Sequence, residues 1–464
     1  MDDQQVSGSD TVKVIVPTGM LGAGISAVHL RYGIERGAHA IGVDAGSTDS
    51  GPSYLARAVP KMNRDAIKRD LTVLMAASHE ARIPLLVGSC GTSGADAAVD
   101  WTAEIAQEVA RELGIGPKIA CLYSEQDPEA LVKRNHEGLI SPLSPLGPVD
   151  DETLRSCDHI VALMGPEPYI RVLENGADVV LGGRTTDTAI LAAVPLMRGK
   201  GRGPAWHAAK VAECGGQCTV KMGQGGVLIS VGRDWFDVEP LDPGNRCTPE
   251  SVSAHMLYES SDANVLIEPG GILDVSGALY RAADARVTRV NGAVWRQQPY
   301  SMKLEGARSG PYQTIMLIGI EDPVVLARLD EFHDKLQAAL VERIRSTFDP
   351  VPQFDVSLRI YGWNAVSGRR VPAESSPPRE VGVLFVVTAP TQELADQMAK
   401  ACNPYLFHFP LNPSIELPSY AFPFSPAEIP RGRVYEFVLN HVVHTADPYE
   451  LTRTRWLEPA HVAS

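Results

Sequence analysis

The sequence predicts an α/β fold: a mostly parallel sheet with helices on both faces in the N-terminal half, followed by a second α/β or α+β domain. Two observations support this prediction. Short aliphatic runs alternate with segments whose apolar residues recur at helical spacing, as far as residue 182. Loops rich in Gly, Ser, Thr and Asp follow most of the short runs. Strands that alternate with helices form a parallel sheet that is buried on both faces.

The elements of the N-terminal half follow from these two patterns. The aliphatic runs predict strands at residues 12–16, 40–44, 83–88, 118–123, 159–164 and 178–182. Helical spacing predicts helices at residues 64–81, 96–113, 127–134 and 166–175. These helices lie between successive strands, as crossovers between parallel strands require.

The second half begins where the pattern changes. The Gly-rich segment 199–204 predicts a linker, and the residues beyond it predict strands at 226–232, 285–291, 354–361, 380–388 and 434–443 and helices at 324–347 and 392–401. We therefore expect a polar leader (1–11), a ligand-binding domain (12–200) and a C-terminal domain (201–464) with a Pro-rich tail.

Composition excludes several classes of partner. The chain has 42 Lys and Arg against 56 Asp and Glu, a net charge of −14, and its basic residues are scattered. Nucleic acid is bound by clustered basic side chains, so no nucleic-acid partner is expected. No segment is apolar over the roughly 18 residues of a membrane span, and the N-terminus does not read as a signal peptide. The seven irregularly spaced cysteines predict reduced thiols. We expect a cytoplasmic homo-oligomer with a small-molecule substrate.

Small and polar residues follow five of the predicted strands, at 18–24, 44–52, 88–94, 124–125 and 182–187. In open parallel sheets, ligands bind at the carboxyl ends of the strands. The sequence therefore predicts a ligand site formed by these loops together.

The 44–52 loop is the leading candidate for the centre of this site. Asp44 ends an apolar strand, and partial burial would raise the pKa of its carboxyl group, as suits a general acid or base. Ser47, Thr48 and Asp49 follow it as candidate substrate-binding residues. The alternative is a structural loop in which Asp44 caps the next segment.

Cofactor motifs are not convincing. The Asp-x-Gly-Ser-Thr run is similar to the phosphate-binding hairpin of sugar-kinase and actin-like ATPases, but it follows the second strand and not the first. Gly19, Gly22 and Gly24 do not complete a dinucleotide fingerprint. Several Asp residues are compatible with a divalent metal, although no spacing shows one. Cys214 and Cys218 lack the usual zinc spacing.

The 88–94 loop has two interpretations. Cys90 precedes a predicted helix, and a thiol at a helix N-terminus can act as a nucleophile. The favoured alternative is an anion-binding loop in which Ser89, Thr92 and Ser93 contact the substrate.

The 182–187 turn supplies a candidate anion-binding arginine. The guanidinium of Arg184 could bind a substrate carboxylate bidentately, assisted by Thr185, Thr186 and Asp187. The alternative pairs Arg184 with Asp187 and leaves a threonine as a helix cap.

Three further residues complete the predicted site. His136 lies where a short predicted helix gives way to a loop, beside an acidic residue, and could shuttle protons near neutral pH. Glu213 is a second acid/base candidate near the expected domain junction, and Gln217 is a substrate-binding candidate.

Four motifs together resemble the acyclic terpene utilisation protein A family. They are Asp44-Ala-Gly-Ser-Thr-Asp, Gly182-Gly-Arg184-Thr-Thr-Asp187, Glu213-Cys-Gly-Gly-Gln217, and Thr248-Pro-Glu-Ser-Val252 with Leu257-Tyr258-Glu259. The resemblance covers residues 12–280 most strongly and implies a role in small-molecule catabolism. It implies no particular mechanism.

The residues favour a cofactor-independent enzyme that acts on a small carboxylate-bearing or acyl substrate. A lyase of the hydratase/dehydratase type is expected first, with Asp44, His136 or Glu213 moving protons. The alternatives are a hydrolase of esters or amides and a non-catalytic ligand-binding subunit of a catabolic complex.

Overall fold

The computed structural model describes residues 11–223, 225–258, 262–370, 376–412, 414 and 417–458. Most of the polar leader and Glu259 of the last family motif lie outside the described residues. The strands are β1 (Val12–Val16), β2 (Ala40–Asp44), β3 (Leu85–Gly88), β4 (Ile119–Tyr123), β5 (Ile140–Pro142), β6 (His159–Ala162), β7 (Val179–Gly182), β8 (Val227–Val231), β9 (Trp235–Pro240), β10 (Val265–Glu268), β11 (Gly271–Asp274), β12 (Leu279–Ala282), β13 (Thr288–Asn291), β14 (Val294–Gln297), β15 (Ser301–Ile320), β16 (Asp355–Tyr361), β17 (Val381–Ala389), β18 (Ile429–His444) and β19 (Arg453–Leu457).

The helices have these bounds: α1 (Ala27–Glu35), α2 (Ser53–Ala56), α3 (Arg64–Ala81), α4 (Asp96–Leu113), α5 (Pro128–His136), α6 (Asp151–Ser156), α7 (Glu167–Glu174), α8 (Ala189–Met197), α9 (Arg202–Ala212), α10 (Pro249–His255), α11 (Pro323–Leu326), α12 (Leu329–Thr347) and α13 (Gln392–Phe407). Short 3₁₀ turns span Thr48–Ser50 and Gly215–Cys218. Within the described ranges, every helix is too short or too polar to cross a membrane.

A ten-stranded sheet organises the N-terminal half, in the order β12-β13-β9-β8-β1-β2-β3-β7-β4-β19. Its central strands, β1, β2, β3, β7 and β4, are parallel. β8 and β19 extend it antiparallel on either side. The predicted fold class is confirmed: the sheet is mostly parallel where the site loops arise, and further sheets follow in the second half.

Both faces of this sheet are covered, because consecutive strand residues contribute to different cores. Val14 of β1 packs in the core formed with α8 and α9, which includes Ile190 and Trp206. Its neighbour Ile15 packs in the opposite core, formed with α1, α3 and α4, which includes Leu71. A strand buried on both sides needs apolar residues at most positions, which explains the nearly continuous aliphatic runs; Lys13 of β1 is a partly exposed exception.

Two features differ from the sequence prediction. The strand expected at 159–164 exists as β6, but it pairs antiparallel with β15 and does not join the parallel sheet. The chain also has no structural division near residue 200, because β8 pairs with β1. The compact units instead comprise the residues up to Arg308 with those from Glu436 onward, and the residues Ser309–Tyr435.

The second unit has a core of its own. β17 pairs antiparallel with β15 on one side and with β16 on the other. Every second residue of β17 is buried, which is typical of a sheet with one covered face. The covered face packs against α12 and α13 through residues that include Phe332, Leu336, Phe385 and Met398.

Within the first unit, the loops after β3 and β7 touch through their backbones. The N–H of Arg184 donates to the carbonyl of Gly94 at 3.2 Å. Gly94 has φ +65°, and a Cβ atom there would lie 2.1 Å from the Arg184 nitrogen. Only glycine permits this approach, and the approach fixes where Arg184 enters the site.

Replacing Gly94 by Ala tests this packing. We expect the free energy of unfolding to fall by about 3 kcal/mol or more, because a backbone clash adds to the left-handed strain. Gly138→Ala is the matched control, since Gly138 has φ +74° but open space around it. It should cost only about 1–2 kcal/mol. Equal losses in urea denaturation would contradict the close approach.

Candidate active site

A cleft of about 590 Å³ opens at the carboxyl ends of the parallel strands. Residues from the loops after β1 and β2, from the 182–187 turn and from the segment after α9 line it together. The lining side chains that carry charge or a polar group include Thr18, Asp44, Ser47, Asp49, Ser50, Lys61, Asp187, Glu213, Cys214, Gln217 and Tyr258. The chain thus brings five of the sequence-predicted polar candidates besides Asp44 to one cleft.

Asp44 is the buried acid of this cleft. Its side chain ends β2, and the residue is 6% exposed. The Gly46 N–H donates to Oδ2 at 2.8 Å. Oδ1 is buried and has no hydrogen-bond partner among the described residues. Burial raises the pKa of Asp44 well above its ordinary value, repulsion from Asp187 adds to the shift, and Arg184 opposes it.

The rest of the 44–52 loop is ordered by local hydrogen bonds. Ser47 Oγ donates to Asp49 Oδ2 at 2.6 Å, and both residues line the cleft. Thr48 turns away from the cleft and donates to Glu305 at 3.0 Å. Lys61 lies exposed at the cleft and donates to Ser50 Oγ at 2.6 Å. Lys61 is therefore a cation within reach of an anionic ligand.

The 88–94 loop lies behind the cleft and does not line it. Ser89, Cys90, Thr92 and Ser93 are at most 1% exposed. Thr92 Oγ1 donates to the Ala45 carbonyl at 3.3 Å, which joins this loop to the 44–52 loop. Burial also raises the pKa of the Cys90 thiol, the opposite of what a nucleophilic cysteine needs.

The hydroxyl of Ser93 accepts from the Ala95 N–H at 3.5 Å, directly before α4 begins. Ser89 and Thr92 have φ of +48° and +84°, a left-handed backbone that is uncommon outside glycine. Strain of this kind persists where surrounding contacts hold it in place. Here the contacts are between site loops, so the loop supports the cleft and does not face a ligand.

Arg184 is buried and fully engaged by protein groups. Its Nε donates to Glu305 Oε2 at 3.0 Å, and its Nη1 donates to Ser89 Oγ at 3.1 Å. Asp187 lies 3.5 Å from Nη1. The pairing of Arg184 with Asp187, the simpler of the two alternatives, is therefore present. The guanidinium does not reach the cleft, so it holds the site's acids in place and is not positioned to clamp a substrate.

Of the remaining residues of the 182–187 turn, the two threonines hydrogen-bond other protein groups, and the aspartate lines the cleft. Thr185 is buried and hydrogen-bonds the Tyr169 hydroxyl at 2.8 Å. Thr186 contacts Thr188 at 3.2 Å and does not line the cleft. Asp187 does line it, with 27% of its side chain exposed. Burial raises the pKa of Asp187, while the Arg184 charge lowers it.

A second buried ion pair lies at the end of α9. Lys210 Nζ is 2.5 Å from Glu213 Oε1, and both side chains are at most 8% exposed. Burial raises the pKa of Glu213, and Lys210 opposes that shift. Gln217 lines the cleft from the exposed side of the following turn. Glu268 also belongs here: burial raises its pKa to about 7, although the hydroxyl of Thr188 donates to it.

His136 lies elsewhere. It ends α5, its side chain is 65% exposed, and its ring nitrogen pairs with Asp151 at 3.0 Å. It does not line the cleft. The predicted proton shuttle through His136 has no support in this arrangement.

Sequence reasoning missed Lys61, Lys210, Glu268 and Glu305. Lys210 could have been found, because it precedes Glu213 by three residues in a helix and this spacing places both on one face. Glu268 and Glu305 come from β10 and β15, far along the chain, and no local motif marks them.

These features define an α/β protein with an acidic cleft at the carboxyl ends of its parallel strands. The chain matches the family model described as acyclic terpene utilisation family protein AtuA, over residues 63–227 and 238–421. It belongs to that family, as the resemblance in its motifs predicted, and the family is one of catabolic proteins. The match extends further into the C-terminal third than the motifs indicated, and it begins after the 44–52 loop. No curated protein and no solved structure matches the chain.

Replacing Glu305 by Gln tests the buried pair with Arg184. Removing one charge leaves the guanidinium uncompensated away from water, so we expect a loss of about 3 kcal/mol in the free energy of unfolding. Glu436→Gln is the control, because its pair with Arg308 is about half exposed. That variant should lose less than about 1 kcal/mol. A Glu305→Gln loss as small as the control's would show that the pair does not hold the loops.

Proposed function

We propose that this protein is a catabolic hydro-lyase that adds water to, or removes it from, a small carboxylate-bearing or acyl substrate. The observation that supports it is a pair of acids, Asp44 and Asp187, that line one cleft in unlike surroundings. Two carboxyl groups whose environments differ can serve as acid and base at the same pH. Membership in a family of acyclic terpene utilisation supports a catabolic role.

Asp44 is the general acid of this proposal. It accepts one backbone N–H and has no cation in hydrogen-bond contact among the described residues. The protonated form is favoured in such a site, because an isolated buried carboxylate is costly. A protonated Asp44 can give its proton to a departing hydroxyl group, which leaves as water.

Asp187 is the general base. Burial raises the pKa of Asp187, but Arg184 lies 3.5 Å from it, and this charge opposes the shift and favours the carboxylate form. Its charge in turn helps to keep Asp44 protonated. Asp187 removes the proton from the carbon next to the carboxyl or acyl group. The freed electron pair forms the C=C bond as the C–O bond breaks, so the products are an alkene and water.

Lys61 and the cleft itself account for binding. A volume of about 590 Å³ lies within the range of small-molecule sites. The ammonium group of Lys61 is exposed at the cleft and can pair with a substrate carboxylate. The proposal therefore assigns the anion contact to Lys61 and not to Arg184.

The hydrolase alternative has less support. The thiol considered for a hydrolase from the sequence is that of Cys90, and Cys90 is fully buried away from the cleft. A non-catalytic binding subunit would use the same cleft without turnover. Measuring turnover of a substrate, and not its binding alone, therefore tests the proposal.

Asp44→Asn provides this test. Small hydroxy acids and their unsaturated counterparts would be incubated with the chain in D₂O, and deuterium at the carbon next to the carboxyl group would be followed by NMR. We expect loss of the acid to slow turnover by at least about 100-fold. The wild-type rate should fall as the pH rises through the raised pKa of Asp44, because the acid then loses its proton.

His136→Ala is the matched control, since the ring lies on the surface away from the cleft. It should keep the wild-type rate.

The free energy of unfolding provides a second prediction: as the pH rises, the stability of Asp44→Asn should increase relative to that of the wild type. Folding raises the pKa of Asp44, so the stability that the protonated group contributes is lost as the pH passes through the folded pKa. Turnover by Asp44→Asn near the wild-type rate would refute the assignment.

A further inference from the structure

Three ligating side chains meet at the wall of the cleft, where α9 and α10 end. The carboxylate of Glu213, the thiol of Cys214 and the ring of His255 each offer an atom within 4.8 Å of the other two. Glu213 and Cys214 both line the cleft. The sequence gives no zinc spacing here, because His255 comes from a separate helix.

The chemistry of this set is that of a metal site. Thiolate, imidazole and carboxylate are the three ligand types that proteins use for Zn²⁺. Bonds of about 2.0–2.3 Å in a tetrahedron separate the ligand atoms by roughly 3.3–3.8 Å. Small rotations of the side chains would bring atoms within 4.8 Å to that spacing.

The ring of His255 provides an independent indication. His255 is 5% exposed, and its Nε2 is buried with no hydrogen-bond partner among the described residues. A buried polar atom without a partner costs about 1–3 kcal/mol, so native structures seldom keep one without a role. A metal ion at Nε2 would satisfy it.

The surrounding charge favours a cation. Lys210 contacts one oxygen of Glu213 and leaves the other for a ligand bond. The carboxyl groups of Asp187 and Glu268 both act on Glu213 electrostatically, so acids outnumber the one lysine. A divalent ion would be attracted to this group of carboxyl side chains.

We propose that Glu213, Cys214 and His255 bind one divalent transition-metal ion of the Zn²⁺ type, with a fourth position open to the cleft. Three protein ligands and an open position are the arrangement of catalytic zinc sites, in which the ion polarises a bound oxygen. This inference goes beyond the proposed lyase and does not depend on it.

Titration of the metal-free, full-length chain with Co²⁺ tests the site directly. Co²⁺ replaces Zn²⁺ in such sites, and a cysteine ligand gives it a thiolate charge-transfer band in the near ultraviolet. We expect one equivalent to bind with this band, and Zn²⁺ to displace it. Cys214→Ser should abolish the band, and His255→Ala should weaken binding by at least about 100-fold.

Two variants are matched controls. Cys402→Ala removes a buried thiol of the other unit, and His136→Ala removes an exposed ring. Both should bind Co²⁺ as the wild type does. A wild-type chain with no thiolate band would overturn the proposal, whatever the variants do. So would a band that survives in Cys214→Ser but disappears in Cys218→Ser or Cys247→Ser, because other thiols would then hold the ion. All these readouts are spectroscopic, so they are separate from the test of lyase activity.

Discussion

The buried ion pair between Arg184 and Glu305 is the interaction on which the site depends. The two side chains are at most 7% exposed and meet at 3.0 Å. Arg184 also binds Ser89, and Glu305 also accepts from Thr48, so the pair joins the loops after β2, β3 and β7. Charges removed from water are stable only with every partner in place. The loops are therefore fixed relative to one another, as the proposed active site on these strand-end loops requires.

The same arginine makes the two cleft acids unlike. Asp187 lies 3.5 Å from the guanidinium, whereas Asp44 accepts from the Gly46 N–H and feels the repulsion of Asp187 more strongly than the opposing charge of Arg184. One buried cation thus favours charge on one acid and, through that acid, a proton on the other. The same pairing keeps Arg184 out of the cleft and leaves Lys61 as an exposed cation there, where the proposed anionic substrate would bind.

The fold was largely predictable, because strands buried on both faces leave nearly continuous apolar runs, and helices such as α3 and α4 have regular apolar spacing. The site was predictable only in part. Parallel topology brings the loops of Asp44 and Asp187 to one edge. The role of Arg184 was not predictable, because its partner Glu305 lies 121 residues away in a strand that has no motif. The burial of Cys90 likewise depends on tertiary packing.

The protonation of Asp44 is the central claim, and NMR of chain labelled with ¹³C at the aspartate carboxyl groups measures it most directly. The Asp44 signal is assigned as the one missing from Asp44→Asn, and its shift is followed with pH. A buried, protonated Asp44 should give a signal that titrates well above the usual Asp pKa of about 4. A signal that titrates at or below that value would show that Asp44 is an ordinary carboxylate and cannot be the proposed acid.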